Sequence, residues 1–371
     1  MKKSLKILIA PDSFKGSISA SDAAAAIARG LAKRSDNVQT VCLPIADGGE
    51  GTLDALVPTE QRFSLTVTGT DGSPVTADYG HIGDTAVIEM AHAAGLTLVP
   101  EDRRSALTST TFGVGELMLN ALERGYRKFL LTVGGSGTND GGCGMLAALG
   151  ARFSDREGNT LIPTGGTLQD IADIDISSVD KRLYECKFTI ATDVKNPLLG
   201  ENGATYVYAR QKGASDAELS QMEAGMTQYA ALLERTCGKA VATLPGCGAG
   251  GGFSTPLLGF FNAELRSGID AVLDAVEFDT ALEGAAAVIT GEGKIDRQSL
   301  FGKAISGVCR AAAKKQIPVY ALVGCIGDDK QTLLDMGLAD IRATGDIAPD
   351  IAYSMTHAGE LLEQLASELP L

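Results

Sequence analysis

Apolar runs that end in polar, glycine-rich turns recur at both ends of the chain. Residues 5–10 and 38–45 have the pattern of buried strands, with an alanine-rich helix predicted between them. The same rhythm returns at residues 286–290, 319–323 and 341–343, again with helical patterns in between. Since strands that alternate with helices are typical of parallel sheets, we expect both ends of the chain to contribute to one sheet.

The middle of the chain has a different pattern. Residues 62–68, 76–81 and 86–90 alternate apolar and polar side chains, and the turns between them are typical of antiparallel hairpins. Residues 203–208 are predicted as a further strand, and residues 354–367 as one C-terminal helix. The change of pattern indicates a second domain within the first.

We therefore predict an α/β protein in which a Rossmann-like, mainly parallel sheet domain is interrupted by an inserted mixed α/β domain. The first domain is expected to comprise residues 1–65 and 277–371, and the inserted domain residues 66–276. A chain of 371 residues is long enough for two such domains.

Composition excludes several classes of function. The net charge is −14, tryptophan is absent and 5% of residues are aromatic, so we expect no nucleic acid or anionic membrane as a partner. No apolar run approaches the roughly 18 residues of a membrane span, and we expect a cytoplasmic protein, monomeric or homodimeric. The seven cysteines include no CxxC pair, which argues against a disulfide framework or a zinc site.

The most distinctive stretch is residues 134–142, Gly-Gly-Ser-Gly-Thr-Asn-Asp-Gly-Gly, which follows an apolar strand and precedes a helical pattern. Glycines let backbone N–H groups point toward one place, and a helix N-terminus adds positive character, so this turn suits phosphate or carboxylate. It lacks the Gly-Lys-Ser/Thr of a Walker A loop. The alternative interpretation is a tight connection without a ligand.

Five strand-end turns share turn residues with carboxylates, usually beside a lysine: Asp12/Lys15, Asp47/Glu50, Asn139/Asp140, Asp193/Lys195 and Glu292/Lys294/Asp296. Any one of them is explained equally well as a cap or a surface side chain. Together they suit Mg²⁺ and phosphoryl transfer, which requires cations for the transferred charge, a metal and a carboxylate near the attacking hydroxyl. The pattern does not assign these roles to individual residues.

Other catalytic arrangements are absent from the sequence. The three histidines (81, 92 and 357) lack metal-ligand spacing, and there is no G-x-S-x-G nucleophile elbow. Gly246, Gly248 and Gly251 match G-x-G-x-x-G, but no βαβ pattern surrounds them, so a nicotinamide site is not expected.

Six segments together resemble the bacterial glycerate kinase family, in the same order along nearly the whole chain. They are ILIAPDSFKG (7–16), ADGGEG (46–51), GGSGTNDGG (134–142), DVKNP (193–197), AELRSGI (263–269) and TGEGKID (290–296). The resemblance implies ATP-dependent phosphorylation of D-glycerate, usually to 2-phosphoglycerate. It also implies a Rossmann-like domain interrupted by a second α/β domain, with the site in the cleft between them.

On this basis we expect Mg²⁺ and ATP along the turns 134–142 and 291–296, and D-glycerate near Lys15 or Lys195. The predicted catalytic residues are Asp193, Lys15, Lys195 and Asp47, with Asp193 preferred as the base. The predicted nucleotide-binding residues are Gly134, Gly135, Ser136, Gly137, Thr138, Asn139, Gly291, Gly293 and Lys294. The predicted substrate-binding residues are Asp12, Ser13, Lys15 and Asn196, and the predicted metal ligands are Asp47, Asp140, Glu292 and Asp296.

Two alternatives stay open at this point. One is a kinase for another small hydroxy acid, because the choice between neighbouring hydroxyls depends on small differences in substrate placement. The other is a non-catalytic protein that binds a small anion or a nucleotide. The sequence does not decide between the 2- and 3-phosphoglycerate products.

Overall fold

The structure is a computed structural model that describes residues 4–34, 37–300, 303–335 and 337–371, without the side chains of Gln298 and Leu300. By its internal contacts the chain divides into two compact units. The first unit comprises Met1–Pro58 and Ser267–Leu371, and the second comprises Thr59–Arg266. The first contains a parallel sheet and the second a mixed sheet, which confirms the α/β class.

The first unit is built on five parallel strands that come from both ends of the chain. From edge to edge they are Leu338–Ala343, Val319–Val323, Ala287–Gly291, Leu5–Pro11 and Val38–Cys42. Lys294–Ile295 and Cys325–Ile326 form a small parallel pair. The α-helices are Ala20–Arg34, Thr52–Leu56, Gly268–Ala275, Phe278–Ala281, Ala304–Ala313, Lys330–Leu334, Ile351–Thr356 and Ala358–Ser367.

Both faces of this sheet are covered, as parallel sheets require. Successive side chains of a strand point to opposite faces. Accordingly, Leu8 and Ala10 belong to one apolar core and Ile7 and Ile9 to another. The second core also contains residues of the helices Ala20–Arg34 and Ala358–Ser367. The near-continuous apolar run at residues 5–10 is therefore explained by burial on both sides.

The second unit contains a six-stranded sheet whose strands run, in order, Asn262–Arg266, Lys187–Ala191, Lys128–Thr132, Thr85–Glu89, Pro74–Ile82 and Arg62–Thr68. The first four strands are parallel and the last two pair antiparallel, as the predicted hairpins require. A smaller antiparallel sheet joins Thr160–Leu161, Arg152–Ser154 and Asp173–Asp175. The α-helices are Ala91–Ala94, Phe112–Glu123, Cys143–Ala148, Ala204–Tyr208, Asp216–Cys237 and Ser254–Phe260.

Two predicted elements are wrong. Residues 203–208 form the helix Ala204–Tyr208 rather than a strand, because the buried Ala204 and Thr205 pack this segment into the unit's interior and Gly203 precedes it as the cap. This tertiary packing overrides the strand preference of a β-branched and aromatic run. The predicted C-terminal helix is two helices that meet at His357, whose φ of −114° is not helical.

The division between the units falls seven residues before the first predicted boundary and ten before the second. Strand Arg62–Thr68 belongs to the second unit because it pairs along its whole length with Pro74–Ile82. Helix Gly268–Ala275 belongs to the first unit because its apolar face joins the same core as Leu8. That the second unit is a separately inserted domain stays a prediction.

Within the described residues, no helix combines the length and apolar character that a membrane crossing needs.

Two glycines allow the loop that carries Asp47 to lie against the start of helix Gly268–Ala275. A Cβ on Gly268 would overlap the Asp47 carbonyl oxygen, and one on Gly48 would overlap the Gly268 backbone. Gly48 also has a φ of 82°, which favours glycine. The motifs ADGGEG and SGI are therefore two sides of one backbone contact.

We predict that Gly268→Ala lowers the free energy of unfolding by about 2 kcal/mol or more, since backbone and not a flexible side chain opposes the new methyl group. Gly359→Ala is the matched control, because the added Cβ there makes only ordinary contact with Ile18 inside a helix. Urea denaturation measures both. An equal effect of the two substitutions would contradict the close contact at Gly268.

Candidate active site

The carboxyl ends of four adjacent parallel strands meet at one edge of the first unit. Asp12, Glu292, Gly324 and Thr344 each follow directly after one of these strands. They line a cavity of about 430 Å³. The chain moves from strand Leu5–Pro11 toward one side of the sheet and from Ala287–Gly291 toward the other. Ligands of doubly wound sheets bind where the strand order reverses in this way.

The backbone brings the two acids of this edge together. Pro11 pairs in register with Gly291, and the Asp12 N–H donates to the Gly291 carbonyl over 2.8 Å. Gly291 has no room for a side chain, since a Cβ would overlap the Leu322 carbonyl. The Glu292 carbonyl in turn accepts from the Gly324 N–H over 3.1 Å. Asp12 and Glu292 are thus fixed by adjacent strands rather than by mobile loops.

Asp12 is 9% exposed, and its environment raises its pKa to about 7. Burial is the main cause, and the neighbouring carboxylates of Asp47 and Glu292 add to it. The Ser13 N–H, which donates to Asp12 Oδ1 over 2.6 Å, and Lys15 oppose the rise. The carboxyl group is therefore poised near neutral pH.

Glu292 is 8% exposed, and burial raises its pKa. The Ser299 hydroxyl donates to Glu292 Oε1 over 2.6 Å, and this bond and Lys303 oppose the rise, whereas Asp296 and Asp47 add to it. Like charges close together in a partly dry site repel each other. The three carboxylates of Asp12, Asp47 and Glu292 form what we call the acid cluster, and bound positive charge would relieve its repulsion.

Three lysines also line the cavity: Lys15, Lys294 and Lys303. Lys15 is exposed, and Lys294 pairs with Asp296 over 3.2 Å. Sequence reasoning missed Lys303, which lies immediately before helix Ala304–Ala313 and belongs to none of the strand-end turns. The cavity thus has both acids and cations at the same sheet edge.

In the second unit, only the first part of the turn 134–142 is accessible. Gly134, Gly135 and Ser136 are exposed or half-buried, whereas Thr138 and Asn139 are completely buried. The Gly137 N–H donates to the Ala94 carbonyl over 2.8 Å. Among the predicted nucleotide-binding residues of this turn, the first three are therefore the ones a ligand can reach without rearrangement.

Asp140, predicted as a metal ligand, is completely buried and hydrogen-bonded within the protein. Its carboxylate accepts from the Thr111 N–H and hydroxyl over 2.7 and 2.8 Å, and from the N–H groups of Gly142 and Gly144 over 3.0 and 3.2 Å. Burial raises its pKa, and these bonds oppose the rise. With no exposed surface, Asp140 links Thr111 to the start of helix Cys143–Ala148, whose cap is Gly142, and its role as a metal ligand stays a prediction.

A buried lysine that sequence reasoning missed donates a hydrogen bond to the same turn. Lys212 is 2% exposed, and its ammonium donates to the Thr138 carbonyl over 2.7 Å. Burial lowers the pKa of Lys212 to about 7, and Asp140 opposes that change. Asn139 donates to the Thr205 hydroxyl over 3.3 Å. No motif marks Lys212, which lies 74 residues from the carbonyl it binds.

Asp193, Lys195 and Asn196 follow strand Lys187–Ala191, which lies beside the strand that leads into the turn 134–142. Asp193 and Lys195 are exposed. Asn196 is fixed, since its Oδ1 accepts from the Tyr208 hydroxyl over 2.9 Å and its Nδ2 donates to the Asn202 carbonyl over 2.8 Å. This loop and the turn lie at the same edge of the second unit's sheet.

The predicted site residues therefore form two groups, one on each unit. The cavity of the first unit is lined by Asp12, Ser13, Lys15, Asp47, Glu292, Gly293 and Lys294, among others. Gly291 and Asp296 are one and two residues, respectively, from the cavity-lining Glu292 and Lys294. The second unit carries residues 134–140 and the loop with Asp193, Lys195 and Asn196. Their individual roles stay predictions.

Comparison with known proteins decides the family. A model of the glycerate kinase family matches residues 7–370. The chain belongs to the glycerate kinase family. This confirms the resemblance that the six sequence motifs indicated, and it shows that the protein is a kinase.

The relatives of this glycerate kinase family member match it over nearly the full length. This chain is 43% identical over 369 residues to the glycerate kinase of Bacillus subtilis (strain 168), and the match covers 98% of this chain and 97% of the relative. It is 41% identical over 381 residues to the glycerate 2-kinase of Escherichia coli (strain K12), covering 96% and 100%. A crystal structure from Salmonella typhimurium LT2, provisionally identified as glycerate kinase 2, has a TM-score of 0.89 at 39% identity, covering 98% and 97%.

We predict that Asp12→Asn stabilises the ligand-free protein in a pH-dependent way. The pKa of Asp12 is raised from 3.8 to about 7, so the folded state holds a proton that the unfolded state releases between these values. Wild-type stability from this group is present below about pH 4 and is lost as the pH rises to about 7. The free energy of unfolding of Asp12→Asn should therefore exceed that of wild type by about 1–4 kcal/mol at pH 8, and by less at pH 5.

Urea denaturation at pH 5 and pH 8, without Mg²⁺ or nucleotide, measures this difference. Asp279→Asn is the control, because Asp279 is exposed and outside the acid cluster. A stability difference between Asp12→Asn and wild type that is the same at both pH values would rule out the raised pKa.

Proposed function

We propose that this kinase transfers the terminal phosphoryl group of ATP to D-glycerate and forms 2-phosphoglycerate, with Mg²⁺ as the metal. The observation that carries the proposal is the acid cluster with three lysines at the strand-order reversal of a parallel sheet, in a chain of the glycerate kinase family. Phosphoryl transfer depends on positioning and on stabilising negative charge, and these groups supply both signs of charge in one cavity.

The donor set fits magnesium. Among the described residues, no three histidine, cysteine or acidic side chains are arranged as a complete metal site. Magnesium in kinases usually keeps several waters and takes one or two carboxylates together with substrate phosphates, so a full protein cage is not expected. Asp47 and Glu292 would hold the ion, and the raised pKa values of Glu292 and Asp12 indicate a site that gains from positive charge. Bound Mg²⁺ would neutralise charge on the phosphates.

The chain's own cations have a separate task. Lys15, Lys294 and Lys303 line the cavity and would bind the phosphate oxygens and the glycerate carboxylate as point charges. Ser13, half-buried beside Asp12, offers a hydroxyl to the acceptor. Asp193 remains our proposed base for the glycerate hydroxyl. The cleft position of the site, the cytoplasmic location and the monomeric or dimeric state stay predictions.

The direct test is to incubate the protein with ATP, Mg²⁺ and D-glycerate and to identify the product by NMR. We expect one ADP per 2-phosphoglycerate and no ADP without glycerate. Formation of 3-phosphoglycerate would correct the regiochemistry, and turnover only with another hydroxy acid would correct the substrate. Binding of ATP and glycerate without ADP formation would instead identify a non-catalytic binding protein.

We predict that Asp193→Asn lowers kcat by about 10²–10⁴ while the variant remains folded, since general-base catalysis is worth that much. Asp173→Asn, at another exposed aspartate of the same unit, is the matched control and should keep full activity. Steady-state kinetics and a thermal unfolding curve are measured for both. A loss of less than about tenfold in Asp193→Asn would remove Asp193 from the chemistry.

A further inference from the structure

One end of the cavity in the first unit is apolar, and the proposed chemistry does not use it. Cys325, Ile351, Met355 and Ala358 line this part, which we call the apolar end. Ile351 and Met355 are four residues apart on helix Ile351–Thr356, so they lie on the same face of the helix. The cavity therefore offers more than a place for charged groups.

The side chains of the apolar end are unusually open to solvent. Ile351 is 77% exposed and Met355 is 42% exposed. Within the described positions 347–355, four large apolar side chains are exposed. Such a concentration of exposed apolar surface, continuous with a cavity, is typical of a binding surface.

Strand order separates the Cys325 side of this end from the acid cluster, whereas Met355 lies beside the loop after Leu5–Pro11, where its carbonyl accepts from the Ser17 hydroxyl over 2.5 Å. Cys325 and Thr344 follow the strands that lie one and two places beyond Ala287–Gly291. Neighbouring strands are about 4.8 Å apart, so these positions are displaced by roughly 5–10 Å from Glu292. The hydroxyls of Thr344 and Ser354 lie 2.8 Å apart and hold the helix with Ile351 against the strand end. The apolar wall is thus attached to the sheet.

We propose that the apolar end binds the purine base of the nucleoside triphosphate donor, with the triphosphate extending toward the lysines. This inference rests on the proposed function, because it takes ATP as the donor. A three-carbon hydroxy acid has no apolar part to bury against Ile351 and Met355, whereas a nucleotide joins a flat base to a charged chain. A cavity of about 430 Å³ with an apolar and a charged end suits such a ligand.

The test compares Ile351→Ser and Met355→Gln with Ile347→Ser. Ile347 is 39% exposed in the same segment but does not line the cavity, so it is the matched control. Calorimetry measures the Kd of Mg·ATP and of magnesium tripolyphosphate, which has the phosphates but no base, in the absence of glycerate. Steady-state kinetics then give the KM for glycerate.

We expect each cavity variant to weaken ATP binding about tenfold, the effect of losing roughly 50 Å² of apolar contact. Tripolyphosphate binding and the KM for glycerate should change less than twofold, and Ile347→Ser should resemble wild type. Ile351→Leu, which keeps the apolar contact, should restore ATP binding. Thermal unfolding of every variant shows that the effect is local.

Several outcomes would overturn the proposed binding of the purine base at the apolar end. They are unchanged ATP binding in both cavity variants, an equal loss for ATP and tripolyphosphate, or a raised KM for glycerate alone. A change of oligomeric state with unaltered ATP affinity would show that a second copy of the chain covers this face, which also overturns the proposal. If the cavity variants weaken ATP binding but not tripolyphosphate binding, and the wild-type protein does not phosphorylate glycerate, the purine-binding site is supported and the proposed function is refuted.

Discussion

The parallel pairing of Leu5–Pro11 with Ala287–Gly291 is the contact on which the first unit depends. It joins segments about 280 residues apart in the chain, as the bond from the Thr290 hydroxyl to the Ala10 carbonyl shows. Closing so long a loop costs conformational entropy, and burial of both strands on both faces offsets it. Because the pairing ends at Pro11 and Gly291, the next residue of each strand is an acid, and the register places Asp12 beside Glu292 in the acid cluster.

Glycine lets backbone segments lie close to each other, so a glycine-rich segment is an ambiguous sign of ligand binding. Gly268 and Gly291 lack room for a Cβ against neighbouring carbonyl groups. Gly251 lies in the same way against the Thr138 carbonyl, so part of the glycine-rich sequence of the second unit serves packing between its own loops. The turn 134–142 has an accessible beginning and a buried end, so packing accounts for the glycines of its second part.

These features set the limit of what the sequence predicts. Strand and turn rhythm predicts the α/β class and places Asp12 and Glu292 at strand ends, because both are local patterns. Strand order is not local, and burial follows from it, so the sequence does not separate the accessible Ser136 from the buried Asp140. Lys212 and Lys303 belong to no motif, since each acts through residues brought near by folding. Helix Ala204–Tyr208 was missed because packing overrides local preference.

Buried charges have different neighbours in the two units, although burial shifts the pKa of the charged group in both. Asp140 accepts from several N–H and hydroxyl donors and Lys212 has a carbonyl acceptor, so each buried group has hydrogen-bond partners within the protein. In the acid cluster the neighbours of Asp12 include two further carboxylates, which add to the rise in its pKa that burial causes. A protein gains nothing for stability from such an arrangement beside an open cavity. A cation bound there would relieve this repulsion, so the acid cluster is better suited to a charged ligand than the fully buried and hydrogen-bonded Asp140.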